Sequence, residues 1–268
     1  MSCCRDLFIQ GRRYQPSETS GEMSTATHLR SYHTEGKVRI LCKCVRRDSG
    51  EVFFHRLFGR NDSVLFPVDI QDVQTHVHLL YPVWGADLLE YTRCGRWTQD
   101  PETAAVVILA LIEKLTQFHR DFQMAMGDIK PSNILYEETT RDVRYIDVDL
   151  CTAQPAHPDP SPDPVTAPAF SIRIPEARTQ SYGKQSTPGY MSYPRSVGKW
   201  YDVFEDDRYA LAATICCLLL EIDPPSPLDP GWVQEQPRCM RDLKTVLATW
   251  EPSLPGRRVF HFVRRFWV

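Results

Sequence analysis

The stretch Met126-Gly127-Asp128-Ile129-Lys130-Pro131-Ser132-Asn133-Ile134-Leu135-Tyr136, with Tyr145-Ile146-Asp147-Val148-Asp149 shortly after it, decides the reading of the whole chain. It sets a carboxylate at Asp128, an ammonium at Lys130 and an amide at Asn133. The apolar run Ile134 to Tyr136 predicts a short strand, and after a turn a second apolar strand ends at Asp147. Oxygen ligands delivered by two neighbouring strand ends suit Mg²⁺, a hard cation that often leaves part of its shell to a phosphate. A carboxylate beside that metal, but not bound to it, can accept a hydroxyl proton. This is a phosphoryl-transfer layout, in which positioning and charge neutralisation do most of the catalysis.

The spacing Asp-x-Lys-x-x-Asn, followed by Ile-Asp, is similar to the catalytic and metal loops of the protein kinase family. The resemblance implies that Asp128 is the base, that Lys130 steadies the transferred phosphate, and that Asn133 and Asp147 hold the metal. It implies ATP and Mg²⁺ as cofactors. Two departures stand out: the family's His-Arg reads Met126-Gly127, and its Asp-Phe-Gly reads Asp147-Val148-Asp149. The missing Arg removes the usual partner of a phosphorylated activation loop, and the missing Gly removes a hinge. His119-Arg120-Asp121 spells the family tripeptide, but Met126 stands where Asn is needed, so it reads as the end of a helix. Taken alone, the central stretch is also compatible with a polar turn between two core strands; the flanks shift the balance.

A chain of 268 residues, 42% of them hydrophobic, can bury a substantial core as one large domain or two lobes. A net charge of −3 gives no nucleic-acid or membrane footprint over the chain as a whole. No apolar run reaches membrane-spanning length, and the N-terminus lacks the basic-then-apolar order of a signal peptide. The nine cysteines, an odd number with several in apolar surroundings, lack zinc spacing and read as reduced structural thiols. The expected location is cytoplasmic or nuclear.

Residues 1–27 read as a flexible N-terminal arm. Over 37–47, Val38, Ile40, Cys42 and Cys44 alternate with Lys37, Arg39 and Lys43, which predicts a half-buried strand with Lys43 facing outward. Asp48-Ser49-Gly50 reads as a turn, and Glu51 to Phe58 as a returning strand. The hairpin resembles the kinase N-lobe. Gly36 then falls at the last glycine of the phosphate loop, with Ser31 and His33 at the first two. Phe53-Phe54-His55-Arg56 falls at the family's Val-Ala-Ile-Lys, so Arg56 stands at the lysine position, and an Arg fork does not replace an ammonium conservatively. Phe54 reads as a core aromatic that narrows the nucleotide pocket. Between Arg60 and Ser63 there is no room for the helix that supplies a Glu partner. Val64 to Ile70 and Thr75 to Val83 predict two more strands, the second leading into a hinge-like Trp84-Gly85-Ala86-Asp87. On this match Leu80 is the gatekeeper, and the nucleotide-facing residues are Gly36, Val38, Arg56, Tyr81, Val83 and Leu135.

Asp100-Pro101 opens a long apolar helix to about His119. The proline-rich residues 154–185 read as an activation-segment insertion, either a docking loop for a protein substrate or partner or a plain spacer. Ser186-Thr187-Pro188-Gly189-Tyr190-Met191 resembles the end of a kinase activation segment, where Thr187 is implied to position Asp128 and Lys130 and to mark Ser/Thr specificity. Ser192-Tyr193-Pro194 replaces the closing Ala-Pro-Glu, which implies loss of a buried ion pair. Asp206 to Glu221 predicts a strongly apolar helix opening with acids; it resembles the family's central C-lobe helix, which implies that Asp207 holds the catalytic-loop backbone. Residues near Met240 to Trp250 predict another helix, and Arg257 to Val268 a basic, solvated end.

The reading is therefore α+β, a two-lobed protein-kinase-like fold. It expects an N-lobe over 28–83 that is β-rich and lacks the regulatory helix, and a mostly helical, shortened C-lobe over 84–268. Such compaction resembles kinases of large DNA viruses. The expected function is ATP- and Mg²⁺-dependent phosphorylation of Ser/Thr in proteins. Two alternatives remain: a pseudokinase scaffold or interaction protein with weak or no ATP turnover, and a small-molecule phosphotransferase similar to aminoglycoside and choline kinases.

Overall fold

The computed structural model describes residues 7–9, 12–16, 28–33, 39–74, 76–152, 186–199 and 201–267. The chain divides into two compact units, Met1–Gly85 and Ala86–Val268. The first is built on an antiparallel sheet of six strands in the order β1-β2-β3-β4-β6-β5. These are β1 (Leu7–Ile9), β2 (Arg12–Pro16), β3 (His28–His33), β4 (Arg39–Arg46), β5 (Asp69–Val73) and β6 (His76–Pro82). β1 and β2 lie in the span read as a flexible arm. One face of the sheet buries Ile9, Tyr14, Tyr32, Ile40, Cys42 and Leu80 together.

The segment read as a returning strand is a helix, α1 (Gly50–Leu57), so the first unit contains a helix where the sequence reading expected none. Ser49, read as part of a turn, caps it: its side-chain oxygen accepts from the Val52 N–H. Glu51 in the first turn and Arg56 in the last complement the helix dipole. The buried positions Glu51, Val52, Phe54 and His55 follow a helical spacing, not a strand's alternation. Phe54 is fully buried against Phe58, Phe66 and His55, which makes it a core aromatic.

The second unit is mostly helical. A small antiparallel sheet pairs β7 (Ala86–Asp87), β8 (Ile134–Glu137) and β9 (Asp142–Tyr145). Around it lie α2 (Leu88–Arg93), α3 (Arg96–Gln99), α4 (Pro101–Phe122), α5 (Tyr193–Ser196), α6 (Val203–Leu220), α7 (Trp232–Ala248) and α8 (Gly256–Trp267). Asp100 caps α4 by accepting from the Thr103 N–H, with Pro101 at its first position as the sequence indicated. α6 is buried on nearly every side, from Val203 to Leu219, as expected of a helix at the centre of its unit. The basic end is an ordered helix, α8, which buries Val259, Val263 and Trp267 and leaves its arginines exposed. Among the described residues no helix is long and apolar enough to cross a membrane.

Candidate active site

In the second unit, the register of the β8–β9 hairpin pairs Ile134 with Tyr145 and puts Asn133 and Ile146 at one end, joined by a 2.9 Å bond from the Ile146 N–H to the Asn133 carbonyl. Asp147 follows directly, in the left-handed region at φ 60°, a conformation aspartate tolerates better than most side chains. Asn133 spends its amide nitrogen on Asp128, at 2.9 Å to the carbonyl and 3.1 Å to Oδ2. Its Oδ1 is thereby the end left to a cation. One amide oxygen and one carboxylate fit Mg²⁺ that keeps water or phosphate oxygens in its remaining positions. Among the described residues no cluster of three or more His, Cys, Asp or Glu forms a fuller cage.

The Asp128 carboxylate is divided between two sets of donors. Oδ2 takes the Lys130 ammonium at 2.7 Å as well as Asn133. Oδ1 takes the Ser186 hydroxyl at 3.0 Å. Lys130 Nζ also donates to Thr187 Oγ1 at 2.9 Å, tying the segment before α5 to the catalytic loop. The sequence-predicted Asp128, Lys130, Asn133 and Thr187 are therefore one bonded group.

The loop that carries Asp128 is anchored from α6 and α4. Asp207, almost fully buried, accepts from the Met126 N–H at 2.7 Å, the Gly127 N–H at 2.9 Å and His119 Nε2 at 2.8 Å. The decoy tripeptide thus ends a helix, as read, but its His119 helps to hold the loop. Arg195, on α5, donates to the Gly127 carbonyl at 2.8 Å and to Asp206 at 2.6 Å. The segment has no glutamate to make the pair implied by Ala-Pro-Glu, but it makes a different buried ion pair, in which it supplies the cation and α6 the anion. Burial alone would lower the Arg195 pKa, but Asp206, Tyr201 and Asp207 together outweigh it and the net direction is upward.

Gly127 sits at φ +81°, and a Cβ there would stand 2.6 Å from the Leu150 carbonyl oxygen. This explains why the family's Arg is absent at that position. Gly127→Arg is expected to destabilise the protein by about 1–3 kcal/mol or more, read as a lower urea midpoint, since backbone strain and a backbone clash add.

The first unit holds a second charged group. In antiparallel pairing, opposed residues share a face, so Lys43 and Leu79, with Leu41 and Tyr81 beside them, face α1. Lys43 Nζ lies 2.6 Å from Glu51 Oε2, with Glu51 only 2% exposed. The Tyr81 hydroxyl donates to Glu51 Oε1 at 2.8 Å and lies 2.8 Å from His55 Nε2. Burial, and secondarily the Lys43 charge, lowers the His55 pKa from 6.5 to about 3. The folded imidazole stays neutral where the unfolded one takes a proton, so this stability is present above pH 6.5 and is lost as pH falls toward 3. The expected slope is at most about 1.4 kcal/mol per pH unit. Urea unfolding at several pH values should show it, and His55→Gln should flatten it.

No family model matches the chain. Ribosomal protein S6 kinase alpha-4 of Mus musculus and of Homo sapiens are each 26% identical to it over 165 residues, covering 59% of this chain. The chain spans about a fifth of the length of these curated relatives, 21% in each case. The solved structure of the Cydia pomonella granulovirus kinase PK-1 superposes with a TM-score of 0.60 at 17% identity, covering 95% of this chain and 87% of that one. The chain has a protein-kinase-like fold.

Several residues expected to face the nucleotide stand elsewhere, in the first unit because Gly50–Leu57 is a helix and not a strand. Arg56 is not on a strand; it lies on α1 with its side chain 43% exposed, paired to Asp72 at 2.7 Å. Lys43 is the strand lysine with a glutamate partner, and α1 covers the face on which it was read as solvated. Leu80 points to the opposite face with Ile40 and Cys42, and Tyr81 takes the place beside the ion pair. Val83 is exposed just after β6, and Leu135 lies on β8, paired to Arg144. Gly36 and Val38, like the insertion 154–185, lie outside the described residues.

Proposed function

We propose that this chain is an ATP- and Mg²⁺-dependent phosphotransferase acting on Ser/Thr hydroxyls of proteins. The observation that carries the reading is the Asp128 carboxylate, fixed by Lys130 and Asn133 and in contact with the hydroxyl-bearing segment at Ser186. Magnesium-bound triphosphate would supply an activated phosphoryl group and a good leaving group. Asn133 Oδ1 and Asp147 would hold the metal. Asp128 would orient an acceptor hydroxyl and take its proton through Oδ1, while Lys130, shared with Thr187, would balance charge on the moving phosphoryl group. Lys43, steadied by Glu51, would hold the nucleotide's phosphates.

The scaffold alternative rested on a missing strand lysine, its glutamate partner and two loop glycines, and the Lys43–Glu51 pair speaks against the first two of these grounds. The Lys130–Thr187 bond favours a protein acceptor over a small molecule, because it draws an activation-segment residue into the site. Incubation of the purified chain with γ-labelled ATP, Mg²⁺ and mixed Ser/Thr protein substrates should transfer label to serine and threonine. Absence of transfer, or equal transfer by Asp147→Asn, would refute the reading.

A further inference from the structure

The Lys43–Glu51 pair is embedded in a longer chain of hydrogen bonds. The two oxygens of Glu51 face different partners, with Oε2 2.6 Å from Lys43 Nζ and Oε1 2.8 Å from the Tyr81 hydroxyl. A phenol has one proton, and a carboxylate can only accept, so Tyr81 spends that proton on Glu51. Its oxygen is then left to accept from His55 Nε2, at 2.8 Å. That assigns the imidazole proton to Nε2. Consistently, His55 Nδ1 is buried with no hydrogen-bond partner, as suits a bare acceptor nitrogen. The order is His55 to Tyr81 to Glu51, closed by the Lys43 ammonium, and it links α1 to β6 and β4.

The chain has a mechanical consequence. Glutamate and lysine are flexible side chains, and an isolated pair would sample several geometries. Here the carboxylate is held from two sides in a buried, low-dielectric setting, where each bond is stronger than in water. Any swing of α1 away from the sheet must break the Tyr81–Glu51 and His55–Tyr81 bonds together with the ion pair. We propose that Tyr81 and His55 are positioning residues that fix Glu51, and through it the Lys43 ammonium, in the place where nucleotide phosphates are received. This rests on the reading under Proposed function and adds two residues to it. Neither touches the nucleotide; both act through Glu51.

The test uses the full chain with magnesium-ATP, and separately an amine-acylating reagent without nucleotide. Tyr81→Phe removes one oxygen and should weaken magnesium-ATP binding about ten- to a hundredfold by calorimetry, the order expected for losing one hydrogen bond to a charged group. KM for ATP should rise accordingly, with kcat changed less than twofold, about the scatter of such constants. Without nucleotide, Lys43 should be acylated several-fold faster than in the parent, read by peptide mass spectrometry. His55→Ala should shift both readouts the same way, and His55→Gln, whose amide N–H can replace Nε2–H, should restore them. Should Tyr81→Phe lose its cooperative melt, the His55→Ala and His55→Gln pair carries the test. If Lys43→Met weakens binding but Tyr81→Phe and His55→Ala both match the parent in affinity and acylation, this inference falls alone. If the parent binds no nucleotide, the proposed function falls and takes this inference with it.

Discussion

Arg195→Met should lower the unfolding free energy by about 3–5 kcal/mol, the cost of stranding a buried charge. Arg195 is 4% exposed and its partner Asp206 2%, so water cannot replace the lost guanidinium. Asp206 would keep only the Ser192 N–H at 3.0 Å and the Ser192 hydroxyl at 2.6 Å. The Gly127 carbonyl would lose a donor in the same step. Urea denaturation measures the effect. The double variant Arg195→Met with Asp206→Leu separates charge from packing. Removing both partners of a buried pair costs far less than removing one, so the double variant should regain more than half of the lost midpoint. A single variant as stable as the parent would mean that the pair is solvated in solution.

Asp128→Asn should cut phosphoryl transfer about 10²- to 10⁴-fold, the range for loss of a general base. The amide keeps the shape of the side chain but cannot accept the acceptor's proton. Lys130 retains Thr187 at 2.9 Å, so the loop keeps one of its ties, and the melting temperature should move little. Single-turnover assays with labelled ATP read the loss. Transfer within threefold of the parent's, about the noise of such assays, would remove Asp128 from the role of base.

The second unit was legible in the sequence because its signals are local. Asp128, Lys130 and Asn133 lie within six positions, the strands on either side are short apolar runs, and Asp100-Pro101 announces α4 within two residues. The first unit was not, and one error propagated. Asp48-Ser49-Gly50 carries the residues of a tight turn, and those same residues make Ser49 a helix cap. Val52, Phe53 and Phe54 are strand formers taken singly, and only the Glu51–His55 and Val52–Arg56 spacing, with acid first and base last, spoke for a helix. Once α1 was read as a strand, no element remained to cover the Leu41–Lys43 face. Lys43 was then assigned to solvent and Arg56 to its place. The buried ion pair was hidden for a different reason: Arg195 and Asp206 are eleven positions apart, and nothing in either segment shows that they meet.

The backbone at Gly127 carries a last consequence. With a carbonyl oxygen 2.6 Å from where a side chain would begin, this position cannot present a cation to a phosphate added after synthesis. The guanidinium bonded to that residue, Arg195, is already committed inward to Asp206 and Gly127. A covalent mark written by another enzyme would find no reader at position 127.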